Sequence, residues 1–295
     1  MDGYSKMTIF HLPGIFMHYP LYVKLFEEIQ ANPDILKDNV KIGSVYGSPC
    51  GIWNGGRAIH NENLKNFEVI ANVKKVTEKM NIPVRFTFTN CLLTKEHIDD
   101  VYCNGLLDFF NNGNNEVICN SEVLEKYIRE KYGDRYKYIS STTKRIVNKE
   151  KQLEEINKNY YLTVIDYDHN GDFDFLNSIK DKEKCELLCN AVCKPHCEYR
   201  ALHYKILSEA QLTNINSDYI CEYAGRRFYE VKNEHNCNFI SVEDIENKYL
   251  SMGFRHFKLE GRTNSPLDVI EILIYYIIKD KYALEIREKM HACLN

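Results

Sequence analysis

Hydrophobic positions along this chain follow two alternating rhythms. Short runs rich in β-branched and aromatic side chains give way to longer stretches in which apolar residues recur every three or four positions. The short runs predict strands over Thr8–Leu12, Val40–Tyr46, Val84–Thr89, Glu116–Cys119, Tyr136–Ser140, Tyr161–Asp166, Cys185–Cys189 and Phe254–Leu259. The longer stretches predict helices over Pro20–Glu28, Asn63–Met80, Glu96–Asn111, Ser121–Lys131, Lys149–Lys158, Phe173–Lys180, Glu198–Ala210 and Pro266–Ile278. Strands that alternate with helices imply parallel pairing through right-handed crossovers. Eight such units favour closure into a (β/α)8 TIM-type barrel over an open doubly wound sheet. Punctuation agrees: Ser121 offers a helix cap with Glu125 nearby, and Ser265 is a cap followed by Pro266 at the first helical position.

No low-complexity linker or charge block divides the 295 residues, so residues 1–295 read as one barrel domain. The connection over 190–253 is the longest, and long excursions on a barrel usually serve a site or an interface. Hydrophobic residues at 44% and charged residues at 27% are ordinary for a chain with a real core, and a formal charge of −4 argues against non-specific polyanion binding. The start, MDGYSKMTIFHLPGIF, lacks the layout of an export signal, and the most apolar run, Val269 to Ile278, contains Glu271 and is too short to span a membrane. Eleven cysteines without such a signal predict a reduced, cytoplasmic setting with thiols available for metal or redox chemistry.

In a barrel of this type the chemistry sits at the carboxyl ends of the strands. Caps and turns explain the Ser, Asn, Asp and Gly residues found there, but they do not require His11, Arg57, Glu260, Arg262 or the cysteines. In CELLCNAVCKPHCEYRALHY, residues 185–204, four cysteines recur at intervals of four. Cys185 and Cys189 share one strand face and read as core thiols. Cys193 and Cys197 lie past the strand, before a helix, where thiolates are favoured as ligands of an iron–sulfur cluster. Zinc is the alternative metal, although its usual spacing is Cys-x2-Cys. Cys237 can return to the mouth as a third ligand, and Cys221, Cys50 and Cys91 compete for the fourth place. Cys103, Cys119 and Cys293 read as isolated thiols. DYDHNGDFDF, residues 166–175, begins like a calcium loop but has Asn177 where the bidentate Glu belongs, so it reads as a βα loop with capping carboxylates. Asn54–Gly55–Gly56–Arg57 could clamp an anionic group.

The run GFRHFKLEGR, residues 253–262, resembles the signature near the end of the collagenase-like peptidase family (peptidase family U thirty-two), in which a K-[IL]-E-G-R run closes the barrel. ELLCNAVCKPHCEYRALHY and FISVEDI resemble neighbouring stretches of that family, so the likeness covers mainly the C-terminal third. The superfamily includes peptidases and oxygen-independent hydroxylases of RNA bases or of a quinone precursor, the latter with a 4Fe-4S cluster. The resemblance implies Cys193, Cys197 and Cys237 as ligands, with Cys221 or Cys50 completing the set. It further implies a short relative, because the chain ends soon after Arg262 and lacks the family's accessory domain.

The leading expectation is therefore an iron–sulfur redox or hydroxylating enzyme in which Arg57, Glu260 and Arg262 orient a small-molecule, peptide or RNA-base substrate, with an electron donor as partner. A peptidase-like hydrolase is the second reading; no Ser/His/Asp or HExxH arrangement can be located for it, so it would need a metal-activated water. The third is a non-catalytic barrel that binds a partner or single-stranded nucleic acid, for which the 21 tyrosines and the RRFYEVK run speak.

Overall fold

Each predicted strand forms, and the eight close on themselves in chain order. The structure is a computed structural model and describes residues 7–55, 66–215, 219–223, 225–234 and 238–294. The strands are β1 (Thr8–Pro13), β2 (Val40–Gly47), β3 (Val84–Phe88), β4 (Glu116–Cys119), β5 (Lys137–Ser140), β6 (Leu162–Val164), β7 (Cys185–Leu188) and β8 (His256–Lys258). All neighbours are parallel, and β1 meets β8 with Ile9 opposite His256, which seals the barrel.

Helices α1 (Tyr19–Ala31), α2 (Phe67–Met80), α3 (Val101–Phe109), α4 (Glu122–Tyr132), α5 (Lys149–Ile156) and α6 (Phe173–Ser178) follow the first six strands. Several begin where the sequence places a cap. Ser121 Oγ accepts the Leu124 amide at 3.4 Å and Ser265 Oγ the Asp268 amide at 3.1 Å, satisfying amides that have no partner within the first turn. Asp172 caps α6 in the same way, as expected of the loop that mimics a calcium site. The single helix expected over Glu96–Asn111 is instead a 3-10 turn, Lys95–His97, followed by α3. Asp100 accepts the Cys103 amide at 2.7 Å and restarts the helix there.

The excursion after β7 carries α7 (Arg200–Thr213), α8 (Phe228–Asn233) and a helix made of α9 (Val242–Asp244), a π-helical turn (Ile245–Tyr249) and α10 (Leu250–Met252). After β8 come α11 (Pro266–Ile277) and α12 (Ala283–Ala292). The pattern of apolar residues did not point to α12. It buries only Ile286 and Met290, a stripe one residue wide, and docks through ion pairs from Lys289 to Glu28 at 2.7 Å and from Arg287 to Glu271 at 2.6 Å.

The main core lies between strands and helices, with Phe10, Leu12, Phe86, Phe88, Leu187, Phe257 and the face of α11 buried there. The bore of the barrel is divided. On one flank Ile118, Ile139, Leu162 and Val164 form a separate apolar cluster. On the other, Arg85 is held by Glu116 at 2.6 Å and Glu186 at 2.5 Å, and donates to His11 Nδ1 at 2.9 Å. Among the described residues no helix is long and apolar enough to cross a membrane.

Candidate functional site

At the carboxyl mouth the strand ends enclose a cavity of about 70 Å3, room for a few waters or one small polar group. Lys258, Glu260 and Arg262 line it from β8 and the turn beyond, Tyr46, Thr87 and Thr89 from β2 and β3, and Tyr167 and Tyr204 from above. Lys258 is the last residue of β8 and turns inward. Its ammonium lies 4.4 Å from the centre of the Tyr46 ring, whose hydroxyl donates to the Leu259 carbonyl. Burial pushes the amine down to about 7; Glu186 and Glu260 oppose that shift, and Arg85 and Arg262 add to it.

The Glu-Gly-Arg turn is fixed from several sides. Asn190 accepts the Glu260 amide at 2.6 Å and donates to the Glu260 carbonyl at 2.9 Å, while Glu260 Oε2 accepts the Val192 amide at 3.2 Å. Arg262 Nη1 donates to Thr87 Oγ1 across the barrel. Gly261 has φ +156°, and a Cβ there would stand 3.1 Å from Pro13 Cγ. At Gly14, with φ +77°, a Cβ would come 2.6 Å from His18 Cδ2 and 3.2 Å from Arg262 Cα. Glycine at both positions lets the end of β1 seat directly against the turn that carries Arg262.

The excursion covers the mouth by charge. Asp166 and Asp168 take Arg145 from the preceding loop, and Asp168 takes Arg200 of α7 at 3.2 Å. Burial raises the Asp168 carboxyl, but the His196 amide and the two guanidiniums outweigh it and hold the group below its ordinary value. Arg200 also stacks 4.0 Å over the Tyr167 ring, and the Tyr167 and Tyr204 hydroxyls are 3.3 Å apart.

Of the residues singled out from sequence, Glu260 and Arg262 line the cavity. His11 does not: it lies deeper in the bore, with Nδ1 2.8 Å from Ser44 Oγ and Nε2 3.0 Å from His256 Nδ1. Arg85 can only donate, so His11 Nδ1 accepts and its proton sits on Nε2, facing His256 and Glu186. Burial, with Arg85 adding to it, holds His11 well below its ordinary value, and burial pushes His256 down to about 4; both rings are neutral. Arg57 and Cys237 lie outside the described residues.

Cys193 packs on Tyr167, Leu188 and Ala191, and its carbonyl accepts from Asn238 at 3.1 Å. Cys197 and Cys221 both lie near Tyr219. Cys50 is buried beneath α7 with Gln211 Nε2 3.9 Å from its sulfur, and Cys91 Sγ lies 3.4 Å from Ser208 Oγ. Cys185 and Cys189 are core thiols, as the strand pattern implied. Thiolates are the right donors for a cluster, but among the described residues no three of His, Cys, Asp or Glu gather to hold a metal. The described cysteines therefore do not complete a ligand set by themselves.

Lys258 stood in the sequence only as the first residue of the K-[IL]-E-G-R run, and Arg85, Glu116 and Glu186 were not singled out. Their signal is a charged residue inside a strand whose neighbours are apolar, as in VRFTF, EVIC, CELL and HFK. Such residues are rarely buried unless paired.

No family model and no curated protein matches this sequence. Among solved structures, one described as the U32 peptidase Mk0906 shares the fold, with a TM-score of 0.53 over 88% of this chain and 95% of that chain, at 11% sequence identity. The likeness is one of barrel architecture.

Proposed function

We propose that this chain is a hydrolase of the peptidase-like kind, acting on an amide bond at the carboxyl mouth of the barrel. One observation carries the reading: Lys258 holds a buried amine, pushed down to about 7, on the floor of the cavity beside Glu260 and Arg262. An amine with that value is half neutral near pH 7, which suits a general base. Neutral Lys258 takes a proton from water as the water oxygen bonds to the carbonyl carbon. The resulting ammonium returns that proton to the leaving nitrogen as the C–N bond breaks, and the amine is regenerated. Arg262 faces the same space and orients an anionic group of the substrate, while the Asn190 clamp fixes the turn that carries it. The U32 peptidase with the same architecture supports hydrolysis over other chemistries by analogy of fold alone.

The test is cleavage of a fluorogenic peptide library by the purified chain and by Lys258→Met. Loss of about 10²-fold or more in the variant is the expected result; undiminished cleavage by Lys258→Met, or none by the parent, refutes the reading.

A second reading rests on a different observation. Cys193, Cys197 and Cys221 all belong to the excursion over the mouth, and Asn238, next in sequence to Cys237, bonds the Cys193 carbonyl. A 4Fe-4S cluster bound there would supply electron transfer beside the cavity. Anaerobic reconstitution with iron and sulfide tests it. Visible thiolate-to-iron absorption that disappears in Cys193→Ser and Cys197→Ser supports this reading; colourless protein without iron removes it.

A further inference from the structure

One layer below Lys258 stands a carboxylate oxygen that the mechanism above does not use. Glu186 is fully buried. Its Oε2 is held by Arg85 at 2.5 Å and lies 3.3 Å from His11 Nε2, whereas Oε1 is buried with no hydrogen-bond partner among the described residues. A buried carboxylate oxygen left without a donor is costly, and its presence points to a group or water that completes it.

Register identifies the group. Glu186 pairs with His256 and Leu188 with Lys258 on adjoining strands. Residues two apart share a face, so Glu186 and Lys258 both enter the bore one diagonal step apart, roughly 8 Å between Cα atoms from ordinary strand spacings. That separation leaves room for one water between the tips of two long side chains. Charge balance argues the same way. The bore holds Glu116 and Glu186 against Arg85, and its two histidines are neutral. Of the further cations at bore-facing positions, Lys137 is level with Glu116 and Lys258 is one diagonal step from Glu186, so Lys258 is the one placed to offset Glu186. The amine is faced by His11 from β1, Glu186 from β7, Arg85 from β3, the Tyr46 ring from β2, and Glu260 and Arg262 beyond its own strand; His11 is neutral, and of the charges Glu186 acts on the amine most strongly. Glu260, the other carboxylate, is drawn toward the excursion by the Val192 amide.

We infer that Glu186 is the positioning residue for Lys258, pairing with its ammonium from beneath through Oε1 and a bridging water, and that this pair, rather than Glu260, sets the protonation state in which the amine works. The catalytic meaning of the pair rests on the hydrolase reading; its existence does not. A negative charge beside an ammonium favours the charged form, so removing it must shift the amine's titration to lower pH.

Competitive acetylation of the full chain with acetic anhydride over a pH series measures this, with Lys258 followed by peptide mass spectrometry and surface lysines as internal reference. Glu186→Gln is expected to move the Lys258 midpoint downward and raise its labelling below the midpoint by up to about tenfold. Glu260→Gln is expected to move it less. An unmoved midpoint in Glu186→Gln, or a larger shift in Glu260→Gln, overturns the assignment. Should Glu186→Gln fail to fold, Glu186→Asp keeps the charge and withdraws the oxygen: a smaller downward shift supports the pair and none overturns it. Labelling requires no turnover, so a protein that shows the shift but cleaves no peptide keeps the pair and loses the hydrolase.

Discussion

A lysine ammonium enclosed at the end of a strand is the least comfortable charge in this molecule, and its discomfort has a measurable sign. Lys258 titrates at about 7 in the folded chain against an ordinary value near ~10.4 when unfolded. Between those values the unfolded state binds more protons, so stability rises as pH rises through that window, and the full penalty applies below it. Relative to the parent, Lys258→Met should therefore lose roughly 3–5 kcal/mol of stability as pH rises from about 7 to above about 10, on top of a pH-independent cost of stranding Glu186, read from chemical denaturation at several pH values. A difference between variant and parent that stays level across that window would contradict the buried ammonium. His256, pushed down to about 4, works in the same direction on the acid side. The unfolded ring takes up a proton near ~6.5 that the folded ring refuses, so stability falls as pH drops from there toward 4. His256→Gln is expected to flatten that part of the curve, which a denaturation series between pH 4 and 7 would register.

At the scale of elements, the carboxyl mouth depends on two attachments of different character. The excursion is anchored by Arg200 on Asp168, a buried ion pair whose rupture leaves a charge uncompensated. Asp168→Ala should cost about 3–5 kcal/mol and speed amide exchange over the first turns of α7, detectable by mass spectrometry. Normal protection of 200–213 in that variant would mean that packing, not charge, holds the helix. The β8 turn depends on shape instead. Gly14→Ala places a Cβ against His18 and the Arg262 backbone at a positive φ, with an expected cost of about 1–3 kcal/mol and weakened peptide cleavage through a displaced Arg262. Thermal denaturation of this variant beside Gly113→Ala checks the claim. Gly113 also has a positive φ, but open space surrounds it, so the two should differ by the contact alone.

Across the whole molecule, the strand order and the placement of most helices were legible because the bore and the outer core follow two simple periods, and caps such as Ser121 and Ser265 mark helix starts locally. Glu260 and Arg262 were legible as residues of the mouth because the end of β8 is visible in the sequence. The partners of His11 were not. Ser44, Arg85, Glu186 and His256 come from four different strands, and only closure of the ring brings them together. α12 was missed for the opposite reason, since its docking relies on surface ion pairs that leave almost no apolar stripe. Cys50 read as a candidate fourth ligand in the loop after β2, yet α7 folds over it, a contact between residues 161 positions apart in the chain.

The divided bore constrains how such a barrel can drift in sequence. On the flank of Ile118, Ile139, Leu162 and Val164, exchanges among aliphatic side chains of similar volume are mutually forgiving, costing under about 1.5 kcal/mol each. On the opposite flank no member of the set Arg85, Glu116 and Glu186 can change alone without stranding its counterpart. Descendants of this sequence should wander freely along one wall of the tube and move only in matched steps along the other, so that the charged wall records ancestry long after the greasy one has forgotten it.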